Sequence, residues 1–339
     1  MMFPFTAIVG QEALKTGLIV NVIDPGVGGL LVMGEKGTAK STAIRSLADL
    51  LPAMTAVAGC PYRCAPRPQG DGPHCDCPAC ADPAGATVPV RMRVVELPLG
   101  ITEDRLIGTI DIEEALQSGR KRFERGLLAE ANRNFLYVDE VNLLEDHIVD
   151  LLLDSAAMGR NTVEREGISV SHPARFILVG SMNPEEGELR PQFLDRFGLA
   201  VRVAGLSDKE GRLQILRRRM AFDADPAGFA KGWEREQQAL ADRIATARDR
   251  LPGVTVPEDI LDRIVAITAS LALDGHRADI VMVRAARALA AFRGMAEAGV
   301  EEVRDIAGFA LMHRQRRQPF EEMGAGAGRL DQILADTLT

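Results

Sequence analysis

The chain lacks any uninterrupted apolar stretch that could cross a bilayer. Its longest candidate, from Leu18 to Met33, is broken by Asn21, Asp24, Pro25 and several glycines, whereas a spanning helix needs about 20 consecutive apolar residues. The beginning, Met1-Met2-Phe3-Pro4-Phe5, lacks the basic segment of a secretory signal, so the expected compartment is the cytoplasm, with no integral membrane segment. There is no positive excess: the net charge of −8 weighs against nonspecific nucleic-acid binding and leaves room only for a local basic patch. Cysteine is missing everywhere except between residues 60 and 80. What is present is ordinary for a globular protein. At 339 residues, 46% hydrophobic and 26% charged, the chain can bury a sizeable core and is expected to form two domains.

The most informative stretch is Gly34-Glu35-Lys36-Gly37-Thr38-Ala39-Lys40-Ser41-Thr42. It follows the apolar run Leu30-Leu31-Val32-Met33 and opens into Ala43-Ile44-Arg45-Ser46-Leu47. Strand, small-residue turn and a helix starting Lys-Ser make the P-loop arrangement, in which loop amides cradle phosphates, the lysine reaches the terminal phosphates and the hydroxyl binds Mg²⁺. The helix N-terminus adds partial positive charge to the same anion. Ala39 stands where the consensus has its second glycine, which the loop tolerates provided that position does not need φ > 0. The alternative is a chance Gly-Lys-Ser turn.

A second apolar strand, Phe135-Leu136-Tyr137-Val138, ends in Asp139-Glu140. Beside a P-loop, the first acid is expected to hold the Mg²⁺ of Mg-ATP together with Ser41, and the second to polarise the attacking water. Phe176-Ile177-Leu178-Val179-Gly180-Ser181 is a further apolar strand leading to Met182-Asn183-Pro184. Asn183 either orients water or senses phosphate there, or simply starts the turn before Pro184. Upstream, Ile8 and Val9 either pack against an adenine ring or belong to the core.

All five cysteines, Cys60, Cys64, Cys75, Cys77 and Cys80, fall in a segment rich in Pro, Gly and Asp. Cys-x₃-Cys followed by Cys-x-Cys-x₂-Cys has the density of a structural metal or redox site, yet it matches no standard finger. A reducing compartment disfavours stable disulfides. A bound metal, a reversible disulfide and an inert surface loop all remain open.

Elsewhere, Arg93–Leu97 reads as a strand. Leu99–Gly108 begins an irregular excursion, and 162–170 alternates like a hairpin around Glu166-Gly167. Past Ser207 the pattern turns helical. Pro257 is placed as the first residue of a helix, a helix from Arg277 has Ile280, Val283, Ala286 and Ala290 on one face, and a last helix from Val300 is stopped by Pro319. The expected division is a P-loop ATPase domain over 1–205, with the Cys-rich loop 60–80 and inserted segments near 97–120 and 159–174. A helical linker over 206–245, a helical lid over 246–325 and a flexible tail over 326–339 complete it.

Taken together, these features resemble the AAA+ ATPases: an α/β fold with a P-loop αβα domain on a parallel sheet, plus a C-terminal all-helical lid. The two insertions are shared by MCM helicases, MoxR-type remodelling ATPases and magnesium chelatases. Four strings, Phe5–Gln11, Leu97–Asp104, Phe135–Leu144 and Gly275-His276-Arg277-Ala278-Asp279, look like the small ATPase subunit of magnesium chelatases, and the resemblance runs from Phe3 to Pro319. Arg outnumbers Lys 34 to 6; that usage and the chain length look most like the bacteriochlorophyll-pathway form of a purple bacterium. The resemblance implies an ATP- and Mg²⁺-using motor in a homo-oligomeric ring, a hexamer, that drives Mg²⁺ insertion into protoporphyrin IX. It further implies a second AAA+-like D-type subunit, a large porphyrin-binding H-type subunit, and no nucleic acid. By the same resemblance Arg196 matches the arginine finger acting on a neighbouring subunit's nucleotide, and Arg277 the sensor arginine of the lid. Each could instead form a surface ion pair, Arg196 with Asp195 and Arg277 with Asp279. An MCM- or MoxR-like remodelling ATPase is the competing reading, disfavoured by the mixed charge of Glu164-Arg165-Glu166.

Overall fold

The computed structural model describes residues 1–35, 37–67, 72, 74–111, 122–165, 168–187, 189–273, 275–315 and 325–338. Lys36, residues 112–120 of the first inserted segment, the Glu166-Gly167 turn and Pro319 lie outside the described residues. In chain order the strands are β1 (Leu30–Met33), β2 (Met54–Val57), β3 (Thr87–Val90), β4 (Val94–Leu97), β5 (Gly108–Asp111) and β6 (Arg122–Arg125). They continue with β7 (Phe135–Val138), β8 (Arg160–Arg165), β9 (Ile168–Pro173), β10 (Ile177–Met182) and β11 (Leu199–Arg202). A five-stranded sheet has the order β11-β1-β10-β7-β4, with the β1/β11, β10/β7 and β4/β7 pairs parallel. Antiparallel ribbons β2/β3, β5/β6 and β8/β9 stand apart from it. The central strands are apolar on both faces because both faces are covered: Leu30, Leu31 and Val32 are fully buried, as are Phe135, Leu136 and Val138. Each such side chain contributes about 1.5–3 kcal/mol by leaving water. This is the expected α/β class, and past Arg202 the described residues form helices, turns and an isolated bridge between Thr255 and Glu297.

By internal packing the chain divides into two compact units, residues 1–46 with 182–339, and residues 47–181. In the first, the Glu12–Ile23 helix buries Leu14, Leu18 and Val22, and Gly17 sits so close to Leu30 that a Cβ there would lie 2.9 Å from its methyl. Asp208 caps the Lys209–Ala224 helix by accepting from Gly211 N–H at 2.6 Å. Pro257 is the extended cap of the Glu258–Ser270 helix and not its first residue. The Glu234–Arg250 helix runs unbroken through residue 245, where the sequence placed a boundary between linker and lid.

Two helical expectations change. The Arg277–Arg293 helix buries Ala286 and Ala290 as expected, together with Val281, Met282, Ala285 and Leu289, while Val283 is half-buried and Ile280 is 56% exposed. Its many alanines leave the apolar arc too broad to fix its edge. Residues 325–337 are a helix, not a flexible tail, with Leu330, Leu334 and Leu338 buried. That stripe at i, i+4, i+8 lies behind a Gly/Ala-rich start, and Arg263 donates to Thr337 O at 2.6 Å at its end. In the second unit, β7 is entered through Asn132-Arg133-Asn134. Asn134 Oδ1 accepts from Arg93 N–H at 2.9 Å and Asn132 Oδ1 from Arg175 N–H at 3.0 Å. No helix among the described residues is long and apolar enough to cross a membrane.

Candidate functional site

In the first unit, β1 delivers the chain into the loop at Gly34, whose φ of 157° and closeness to Val203 admit only glycine: a Cβ would lie 2.0 Å from the Val203 carbonyl oxygen. Ala39 takes φ 63°, so the condition under which alanine would be harmless is not met. The loop holds an alanine in the left-handed region at a cost of about 1 kcal/mol. The Lys40–Leu50 helix begins immediately after it, so the amides of Lys40, Ser41 and Thr42 are helix-start donors without an intrahelical acceptor. Lys40 Nζ donates to Gly34 O at 2.6 Å and Glu35 O at 3.2 Å, and Thr38 Oγ1 to Glu35 O at 3.0 Å. Glycine turns, helix-start amides and an ammonium at one point are a donor set that fits a polyphosphate. Ile8 is buried, Val9 is half-buried, and Lys15 Nζ donates to Ile8 O at 2.7 Å.

Asn183 follows β10 directly. Its Oδ1 accepts from Glu185 N–H at 3.2 Å and caps the Pro184–Glu186 turn, so the turn-starting role is present and the amide nitrogen is the part of the side chain left to meet a ligand. Arg196 follows the short Pro191–Leu194 helix, half-buried in the turn Asp195-Arg196-Phe197-Gly198. That turn is held by Arg314, a residue to which the sequence alone assigned no role. Its side chain is 3% exposed and donates from Nε to Asp195 Oδ1 at 3.1 Å, from Nη1 to Gly198 O at 3.0 Å and to Ala310 O, and from Nη2 to Phe197 O at 2.7 Å and Asp195 O at 3.0 Å. Arg277, exposed, lies 3.5 Å from Asp195 Oδ2 and donates to Asp195 O at 3.3 Å. Its ion pair is therefore with Asp195 and not with Asp279, which accepts from Thr268 Oγ1 at 2.5 Å. His313 donates from Nε2 to Phe197 O at 2.9 Å. Burial, then the neighbouring Arg314 charge, lower its pKa to about 3, against the Phe197 carbonyl that raises it.

In the second unit, β7 ends at Asp139 and Glu140. Asp139 is exposed and accepts from Tyr137 OH at 2.8 Å and from Ser181 Oγ, which also accepts from Glu140 N–H at 3.2 Å. Two hydroxyls from adjacent parallel strands thus fix one carboxylate oxygen of Asp139 and leave the other to a cation. Burial first, and the Asp139 carboxylate after it, push the Tyr137 phenol well above its ordinary range, so it remains a donor at any working pH. Both hydroxyls were legible in principle, as the polar positions in otherwise apolar strands. Glu140 has φ 54°, a left-handed conformation uncommon for a residue with a side chain, and half-buried. Two residues on, both amide atoms of Asn142 are buried without a hydrogen-bond partner. The five cysteines are free thiols. Cys60, Cys64, Cys75 and Cys80 are buried, with their sulfurs all within 4.8 Å of one another, and half-buried Cys77 lies 3.3 Å from Cys75.

Residues 261–334 match the family model described as the AAA lid domain, and residues 111–192 the one described as magnesium chelatase, subunit ChlI. The chain is 52% identical, over 99% of its length and 98% of the relative's, to the magnesium-chelatase 38 kDa subunit of Cereibacter sphaeroides. It is 51% identical, over 98% of its length and 91% of the relative's, to the magnesium-chelatase subunit ChlI homolog of Methanocaldococcus jannaschii. Among solved structures it is similar to a chain of the complex between subunits BchI and BchD of magnesium chelatase from a single-particle cryo-EM reconstruction, with a TM-score of 0.56 at 46% identity, covering 100% of this chain and 99% of that one.

Proposed function

The chain belongs to the magnesium-chelatase ChlI family, and we propose that it is the ATP-hydrolysing motor subunit of a chelatase that inserts Mg²⁺ into protoporphyrin IX. By resemblance to the relatives from Cereibacter and Chlorobaculum, its setting is bacteriochlorophyll synthesis. The whole-length likeness to chelatase subunits is the observation that carries this reading.

In it, the amides of Gly34–Ser41 and the Lys40 ammonium hold the phosphates of ATP. Ser41 and Asp139 would be the residues that hold the accompanying cation, which would supply neutralisation of phosphate charge. Asp139 suits that role because Tyr137 and Ser181 orient it. Glu140 takes the proton of the attacking water, and the Asn183 amide orients that water. Arg196 acts on the nucleotide of the adjacent copy in a hexameric ring, and Arg277 links the lid to nucleotide state through Asp195. Ile8 and Val9 flank the adenine.

A chelatase needs a motor because Mg²⁺ gives up its waters reluctantly and insists on octahedral coordination, whereas a porphyrin offers four nitrogens in a plane and must lose two protons. The porphyrin is bound by the H-type subunit and the D-type subunit bridges to it; this chain supplies conformational work. The test is Mg-protoporphyrin formation by fluorescence with both partner subunits, protoporphyrin IX, Mg²⁺ and ATP. Product is expected with the wild type and not with Lys40→Ala or Arg196→Ala. Product formation independent of this chain, while the chain still hydrolyses ATP, would overturn the reading.

A further inference from the structure

We propose that Cys60, Cys64, Cys75 and Cys80 form a closed tetrathiolate site for one zinc ion, which ties together the two ends of the cysteine-bearing segment between β2 and β3. The geometry supports it first. Four ligands at the Zn–S distance of about 2.3 Å in a tetrahedron lie about 3.8 Å apart along each edge. Cys60 and Cys75 sulfurs are separated by 3.8 Å, and Cys64 and Cys75 by 3.7 Å, with all four within 4.8 Å. A disulfide would require about 2.05 Å. The spacings Cys60-x₃-Cys64 and Cys75-x₄-Cys80 each fall within the two-to-four-residue separation usual for a chelating pair.

The surroundings are those of a structural site. The four residues are between 2% and 8% exposed, which leaves no open coordination position for a reacting molecule. Backbone N–H groups already point at the sulfurs: those of Tyr62 and Cys64 at Cys60, and that of Cys77 at Cys75. Such donors stabilise thiolates that carry a metal. Arg133, held by the carbonyls of Thr55 and Arg63 at 2.8 and 3.0 Å, places positive charge near Cys64. On binding, four thiol protons leave to solvent and no electron is transferred, so no oxidant is needed.

The choice among five cysteines is the sharpest part of the proposal. Sequence spacing alone would favour Cys77-x₂-Cys80 as a chelating pair. In the structure half-buried Cys77 adjoins the cluster, 3.3 Å from the Cys75 sulfur, but is not one of the four whose sulfurs all lie within 4.8 Å of one another, and Cys75 occupies the fourth corner. The loop is also anchored beyond the sulfurs. Tyr62 stacks on His172 of β9 with ring centroids 4.9 Å apart, and Asn132 Nδ2 donates to Tyr62 O at 2.7 Å just before β7.

The test is metal content of the full-length chain, purified without chelator and dialysed against limiting Zn²⁺, by plasma mass spectrometry with parallel thiol counting. One zinc per chain, released as thiols are titrated with a mercurial, is expected. Cys60→Ser, Cys64→Ser, Cys75→Ser and Cys80→Ser should each lose the ion, and Cys77→Ser should retain it. Should a serine variant fail to fold, Co²⁺ added to the wild-type chain decides: the intense visible and charge-transfer absorption of a tetrahedral tetrathiolate is expected, abolished by added Zn²⁺. No bound metal and no cobalt spectrum, a disulfide among these cysteines in the freshly purified protein, or loss of the ion in Cys77→Ser with retention in Cys75→Ser would each overturn it.

Discussion

The loop Gly34–Ser41 and the turn Asp195–Gly198 both present a cation, Lys40 in one and Arg196 in the other, yet they are built in opposite ways. The loop is made by its own backbone. Positive φ at Gly34, Gly37 and Ala39 and the start of the helix at Lys40 shape it, and Lys40 donates to carbonyls only a few residues away. The turn's N–H groups at Asp195, Arg196 and Phe197 are bonded locally, to the carbonyls of Pro191, Phe193 and Leu194. Its carbonyls and the Asp195 carboxylate are instead gathered by the Arg314 fork and by His313, which lie just past the Val300–Leu311 helix. A locally made feature leaves its mark in residue spacing, whereas a turn held from a distance leaves none.

Breaking the distant clamp should have the largest effect on stability. Arg314→Ala leaves the Asp195 side chain and several carbonyls without their donor and is expected to destabilise the chain by about 3 kcal/mol in urea unfolding. Arg314→Lys should recover only a minor part, because an ammonium cannot reproduce the planar fork. If Arg314→Ala unfolds like wild type, the turn is self-supporting after all.

His313 sharpens the same comparison through pH. Its folded pKa of about 3 lies below the unfolded value near 6.5, so its contribution is complete above pH 6.5. It is lost as pH falls toward 3, because the unfolded chain takes up a proton that the folded chain refuses. The slope is about 1.4 kcal/mol per pH unit within that window. Denaturation measured at pH 7.5, 6 and 5 should show this loss in wild type and a flatter dependence in His313→Gln.

Smaller effects follow. Arg277→Ala removes a pair that is more than 40% exposed on both sides and should cost less than about 1 kcal/mol of stability, while changing nucleotide-dependent activity in the chelatase assay. Least of all, Ala39→Gly relieves left-handed strain, but glycine also gains freedom in the unfolded chain. The two offset, so thermal unfolding should shift by no more than about 0.5 kcal/mol. A larger shift would show that the loop's shape is not locally determined.

Legibility followed the range of the interactions. The buried strands β1, β7 and β10 and the P-loop were readable because continuous apolar runs and a short glycine-lysine pattern are local signals. The Arg277–Arg293 helix was readable as a helix, and Ala286 and Ala290 on its buried face, but not the edge of that face at Ile280, since alanine marks no face clearly. The Ala325–Thr337 helix was hidden because composition at its start outweighed three leucines at helical spacing. Tyr137 and Ser181 converge on Asp139 through strand pairing, and Arg314 reaches Asp195 across the fold. The cysteines were visible, but which four face one another depends on how the segment folds back. Spacing alone left that open.

Lys40 has one further consequence, for the strength of anion binding. Because its ammonium donates to the carbonyls of Gly34 and Glu35, an anion drawn to this loop competes with those two oxygens for the same donors, and its gain is offset by the bonds it replaces.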